Sequence, residues 1–132
     1  MAKGPAYNRG AVILLVEDDE DVREMLAFTL QSRGYAVQVA KNGSAALEVL
    51  ERERPCLVIL DLVMPVMNGW AVLAQMKARQ LSDVPVCVIS ALEGQRPSEA
   101  VATLSKPFET SELFALAERY CSHARRSAAP GG

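Results

Sequence analysis

Glu17 and Asp18 follow one apolar run, Asp61 closes another, Ser90 a third, and Lys106 follows a weaker apolar segment. Acids, a hydroxyl and an amine are thereby gathered at strand ends, and this set suits phosphoryl chemistry on a carboxylate. Glu17 and Asp61 are 44 residues apart in sequence. If they end adjacent parallel strands they repel one another unless a cation neutralises them. Ligation by carboxylates, waters and a phosphate oxygen is typical of Mg²⁺, whereas zinc would want Cys or His close by, and the single histidine, His123, stands near the end of the chain. Lys106 would ion-pair with a phosphate placed at this rim, and the Ser90 hydroxyl would hydrogen-bond one of its oxygens.

The elements that must position these groups are legible as alternating apolar runs and amphipathic stretches, the pattern of βα units around a parallel sheet. Residues 11–16 (AVILLV), 57–60 (LVIL) and 84–89 (VPVCVI) read as central strands covered on both faces, and 35–40 alternates more, as nearer an edge. A fifth, weaker segment covers 101–104. Val22, Met25, Leu26, Thr29 and Leu30 recur at helical spacing, with Gly34 as a C-terminal cap. Further helices are expected over about 44–54, stopped by Pro55, over about 69–80, and from Thr110 or Ser111 onward. In an open sheet of this kind ligands bind beyond the carboxyl ends of the strands.

With 132 residues, half of them hydrophobic and 23% charged, the chain suits one globular domain and excludes a collagen-like or disordered one. A formal net charge of −2 offers no broad positive field for nucleic acid. No apolar run reaches the ~18–20 residues that span a bilayer, and residues 1–10 lack the apolar stretch of a signal peptide, so a cytoplasmic location is expected. Cys56, Cys87 and Cys121 are odd in number and two lie in apolar segments, which reads as reduced, packed thiols. The Asn-Gly-Ser at 42–44 is a turn rather than a glycosylation site, and Trp70 and Met76 read as packing residues.

VEDDEDVREML at 16–26, DLVMPVMNG at 61–69, SA at 90–91 and KPF at 106–108 together resemble the receiver domain of bacterial two-component response regulators. The resemblance covers about residues 11–122, flanked by tails at 1–10 and 123–132. It implies a doubly wound, five-stranded parallel sheet of flavodoxin-like order 2-1-3-4-5 with helices on both faces. It implies that Asp61 accepts a phosphoryl group from a phosphohistidine of a sensor kinase or phosphotransfer protein, the domain catalysing its own phosphotransfer. Asp18 and Asp61 would hold Mg²⁺ directly, with Glu17 acting through water and the Val63 carbonyl as a further ligand. Lys106 would pair with the acids and then with the phosphoryl group, Ser90 would be the hydroxyl that moves toward it, and Pro107 would follow a cis peptide.

Taken alone, the acidic run 17–21 is a solvated loop or a helix N-terminus, and Asp19, Glu20 and Asp21 are assigned no more than that. Only fifteen residues separate Ser90 from Lys106, where loop, helix, loop and strand would need about 20. Glu93-Gly94-Gln95-Arg96-Pro97 also disfavours a helix, so the fourth helix of the family should be short, irregular or missing. Thr103 stands where the family commonly has the aromatic residue coupled to the switch hydroxyl, so altered output is expected. Val63 and Leu92 flank the expected path of hydrolytic water and cannot orient it. The competing reading is a pseudo-receiver that binds protein partners constitutively. A dehalogenase-like phosphatase would need an acid at Val63, and a nucleotide enzyme a glycine-rich loop at 17–19.

Overall fold

Five short parallel strands form one sheet in the order β2-β1-β3-β4-β5 in the computed structural model, which describes residues 12–91 and 97–128. The strands are β1 (Ile13–Val16), β2 (Val37–Ala40), β3 (Leu57–Asp61), β4 (Val86–Ser90) and β5 (Ala102–Ser105). Helices α1 (Glu20–Gln31), α2 (Gly43–Arg52), α3 (Gly69–Ala78) and α4 (Thr110–Ala128) complete the fold. The order is the doubly wound one expected. The tail expected at 1–10 lies outside the described residues, as do Leu92 and the segment through Arg96.

Alternation along β1 distributes the core to two faces. Leu14 and Val16 pack in the layer with Leu47 and Leu50 of α2 and Val72 and Met76 of α3. Ile13 and Leu15 pack in the opposite layer with Leu26 and Leu30 of α1 and Leu113 and Ala117 of α4. β1, β3 and β4 are buried along their whole length, which is why they read as unbroken apolar runs. On α1 the buried residues are Leu26 and Leu30, while Met25 is 56% exposed. Helical spacing alone thus puts one residue too many on the core stripe.

The first three βα junctions are each fixed by a side-chain cap. Asp19 accepts from the Val22 N–H at 3.0 Å, Asn42 from Ala45 at 2.8 Å, and Asn68 from Ala71 at 3.0 Å. Asn42-Gly43 and Asn68-Gly69 are thus helix starts rather than free turns. Between β4 and β5 the described residues contain no helix: Pro97 to Ala100 make a turn closed by the Ala100 N–H on the Pro97 carbonyl at 3.1 Å. The shortage of residues after Ser90 has the expected effect. The last helix leaves helical geometry at Cys121 (φ −129°, ψ 16°) and runs on to Ala128, past Ser122 where composition alone ends the domain. None of the helices among the described residues is long and apolar enough to cross a membrane.

The cysteines depart from expectation. Cys56 and Cys121 form a disulfide with their Cα atoms 5.4 Å apart, and only Cys87 is a free, buried thiol. Burial pushes that thiol up to about 12. Sequence hides the pairing because the partners lie 65 residues apart, one preceding β3 and the other at the end of the buried stripe of α4.

Val66, in the loop after β3, is 91% exposed and has a φ of 69°. A β-branched side chain is strained in this left-handed region, and nothing is gained by burying it. Val66→Asn is expected to stabilise the protein by about 1 kcal/mol, measured by urea denaturation.

Candidate functional site

Parallel register brings the singled-out residues to one rim. Val16 pairs with Leu60, Asp61 with Ile89, and Ser90 with Ser105, so Glu17, Asp61, Ser90 and Lys106 all stand at or just past the carboxyl ends of neighbouring strands. Main-chain bonds carry the ladder into the loops: the Leu62 N–H donates to Ile89 at 3.0 Å and the Lys106 N–H to Ser90 at 2.9 Å. The Lys106–Pro107 peptide is cis, as the resemblance implies.

Carboxylate oxygens of Glu17, Asp18 and Asp61 lie within 4.8 Å of one another. Glu17 and Asp61 are buried and Asp18 is exposed, so the cluster opens to solvent on one side. The Asp61 Oδ1 accepts from the Val63 N–H at 3.1 Å, and its Oδ2 faces Lys106 Nζ at 3.3 Å. Glu17 Oε2 accepts from the Asp19 N–H at 3.2 Å. Its Oε1 makes no hydrogen bond, and Lys106 Nζ stands 3.8 Å away, too far for one.

Burial is the main reason that the Glu17 carboxyl is raised from 4.5 to about 7. The Asp19 N–H opposes that shift, Asp61 adds to it, and Lys106 opposes it. One ammonium does not neutralise three carboxylates. An unsatisfied buried oxygen in an all-oxygen donor set fits a hard divalent cation such as Mg²⁺. No Cys or His joins the cluster among the described residues, so a zinc site is not what these donors resemble.

Two contributors carry no signal in the sequence. Arg23 on α1 donates through Nη1 to the Glu17 carbonyl at 2.9 Å and to that of Asp18 at 3.4 Å, holding the loop that carries both acids. A lone arginine on an amphipathic helix has no signature of that role. Gly69 reads in sequence only as a turn residue at the start of a helix. A Cβ there would sit 2.8 Å from Leu62 Cα and 2.9 Å from the Asp61 carbonyl oxygen, so the start of α3 can close on the end of β3 only without a side chain. Beside the rim, α1 and the loop after β5 enclose a largely apolar cleft of about 490 Å³ lined by Met25, Leu26, Lys106 and Phe108.

The model of the response regulator receiver domain family matches residues 13–118. The chain belongs to the response regulator receiver family. An uncharacterised 14.6 kDa protein of Leptolyngbya boryana is 34% identical over 116 residues, covering 83% of this chain and 88% of that one. The response regulator MprA of Mycobacterium leprae is 39% identical over 111 residues, 78% of this chain but 47% of MprA, so this receiver spans about half the length of that relative. The response regulator TrrA of Thermotoga maritima, solved in complex with Mg²⁺-BeF, superposes with a TM-score of 0.75 at 29% identity, covering 83% of this chain and 98% of that one.

A carboxyl raised from 4.5 to about 7 keeps a proton in the folded receiver that the unfolded chain has already released. The metal-free protein therefore loses stability as pH rises through that window. Glu17→Gln removes this loss. With chelator at pH 8 the variant is expected to exceed the unsubstituted protein in stability by on the order of 1–2 kcal/mol and to lose most of the gain on adding Mg²⁺. Thermal melts with and without the metal check both.

Proposed function

We propose that this receiver is switched by phosphorylation: Asp61 takes a phosphoryl group from a phosphohistidine of a sensor histidine kinase or phosphotransfer protein, in the cytoplasm. The observation that carries the reading is Asp61 itself. It is buried at a strand end, grouped with Glu17 and Asp18, and faces Lys106 Nζ at 3.3 Å.

An oxygen of the Asp61 carboxylate attacks phosphorus while the phosphorus–nitrogen bond of the phosphohistidine breaks, and the imidazole, protonated on its other ring nitrogen, keeps the bonding pair and leaves neutral, giving an acyl phosphate. The Val63 N–H holds Oδ1 and so fixes the rotation of the carboxylate before attack. Lys106, already beside Oδ2, exchanges part of its pairing with Asp61 for the incoming phosphoryl oxygens. Asp18, Asp61 and the Val63 carbonyl would hold Mg²⁺, with Glu17 helping through water. Bound there, the metal supplies charge neutralisation for the acids and the phosphoryl oxygens. Ser90, buried at the end of β4, would be the hydroxyl that meets the phosphoryl group. Thr103, in β5, offers no ring to follow that movement, so the phosphorylated state is read differently from that of relatives with an aromatic residue there.

Incubation with Mg²⁺ and acetyl phosphate is expected to add one phosphoryl group by intact mass. Asp61→Asn, or addition of chelator, should abolish the gain. An unchanged mass while the metal demonstrably binds would refute the switch and leave a constitutive binding module. Val63, 58% exposed and apolar, gives hydrolytic water no hydrogen-bonding partner at the pocket mouth. After removal of donor, the label is accordingly expected to last minutes or longer, and loss within seconds would contradict this.

A further inference from the structure

We propose that Cys56 and Cys121 are a reversible redox tether that fixes the segment of α4 beyond Cys121 to the amino-terminal edge of the sheet. The inference is independent of the phosphoryl chemistry, which lies at the other end of β3.

Position on α4 makes the pair a tether for the end of the helix alone. Leu113, Ala117 and Cys121 recur once per turn and are fully buried, and Cys121 is the last core contact of that stripe among the residues whose side chains are described. Helical geometry breaks at this same residue. The turns before it have anchors of their own: the Tyr35 hydroxyl donates to Glu118 Oε1 at 3.0 Å, and the Arg33 guanidinium lies 3.9 Å from the centroid of the Phe114 ring. Cutting the disulfide therefore leaves the helix seated up to about Tyr120 and removes the covalent hold at Cys121, where the rest of α4 begins.

Both redox states are accommodated at the Cys56 end. Cys56 Sγ lies 3.3 Å from the Val12 carbonyl oxygen, which also accepts the Cys56 N–H at 2.9 Å. In the dithiol state the Cys56 S–H donates to that carbonyl, so reduction strands no polar group. Cys87, within β4 in register with Ile59 and Ala102, is held in the sheet and serves as an internal count of unreactive thiol.

The chemistry balances as thiol–disulfide exchange. On reduction a partner dithiol attacks one sulfur, its second thiol resolves the mixed disulfide, and two electrons and two protons pass to Cys56 and Cys121 while the partner becomes a disulfide. On oxidation the two thiols give up two electrons and two protons, and either one glutathione disulfide becomes two glutathiones or one hydrogen peroxide becomes two waters. Both sulfurs belong to buried residues, so exchange requires local opening of the end of α4.

The test uses the whole chain equilibrated with excess dithiothreitol or excess glutathione disulfide, then denatured, alkylated and weighed. Three adducts after the first treatment and one after the second, interconverting in either direction, are expected. Trypsin cleavage after Arg125 and Arg126 should be at least tenfold faster in the reduced protein and in Cys56→Ser. Oxidation should raise the melting temperature by roughly 10 °C, as expected for a bond closing so long a loop. Far-UV circular dichroism at 25 °C should be the same in both states, showing that the receiver is folded in each. Three adducts after oxidant, one after reductant, or equal cleavage rates would overturn the proposal.

Discussion

Crowding of negative charge at the end of β3 is the constraint around which the rest of the receiver is arranged. Two of the three acids are buried, and a buried carboxylate without a partner is costly. The fold meets that cost with fixed donors and one movable cation: the Asp19 and Val63 N–H groups, and Lys106. The fixed donors belong to tight loops whose own geometry is set elsewhere, by the Asp19 cap, by Arg23 and by the close approach of Gly69 to β3. What remains uncompensated is chiefly Glu17 Oε1, and a divalent cation at the cluster would offset it.

The sheet serves this arrangement by stiffness. Each acid or its partner ends a strand whose neighbours are in register on both sides, so displacing one carboxylate means displacing a buried ladder. Interiors of that packing density resist small shifts. Under the proposed phosphorylation, movement would be confined to the segments beyond the strand ends: the loops, Lys106, and the described residues after Ser90, which form a turn in place of a helix.

Much of this could be read from residue order because strand burial and strand-end chemistry are local in sequence. Unbroken apolar runs placed β1, β3 and β4 within a few residues, and the polar residue after each run named the site. Legibility failed where a contact follows from packing and leaves no pattern in residue order. The Cys56–Cys121 pairing depends on how α4 crosses the sheet, which no spacing encodes. Met25 satisfies helical periodicity yet faces the cleft beside Phe108, because the stripe that α1 buries is narrower than its apolar content. Arg23 acts on main-chain carbonyls, and a side chain that reads backbone leaves no motif.

All three acids precede residue 62, whereas Lys106 lies 45 residues beyond Asp61. During synthesis from the N-terminus, the repulsion is therefore complete long before its counter-charge has left the ribosome. A nascent chain that has just exposed β3 holds every carboxylate of the pocket but not Lys106, the lysine that faces them in the folded protein. Lys106, the cation that faces both Asp61 and Glu17, thus joins the pocket only with β5, the last strand to be synthesised.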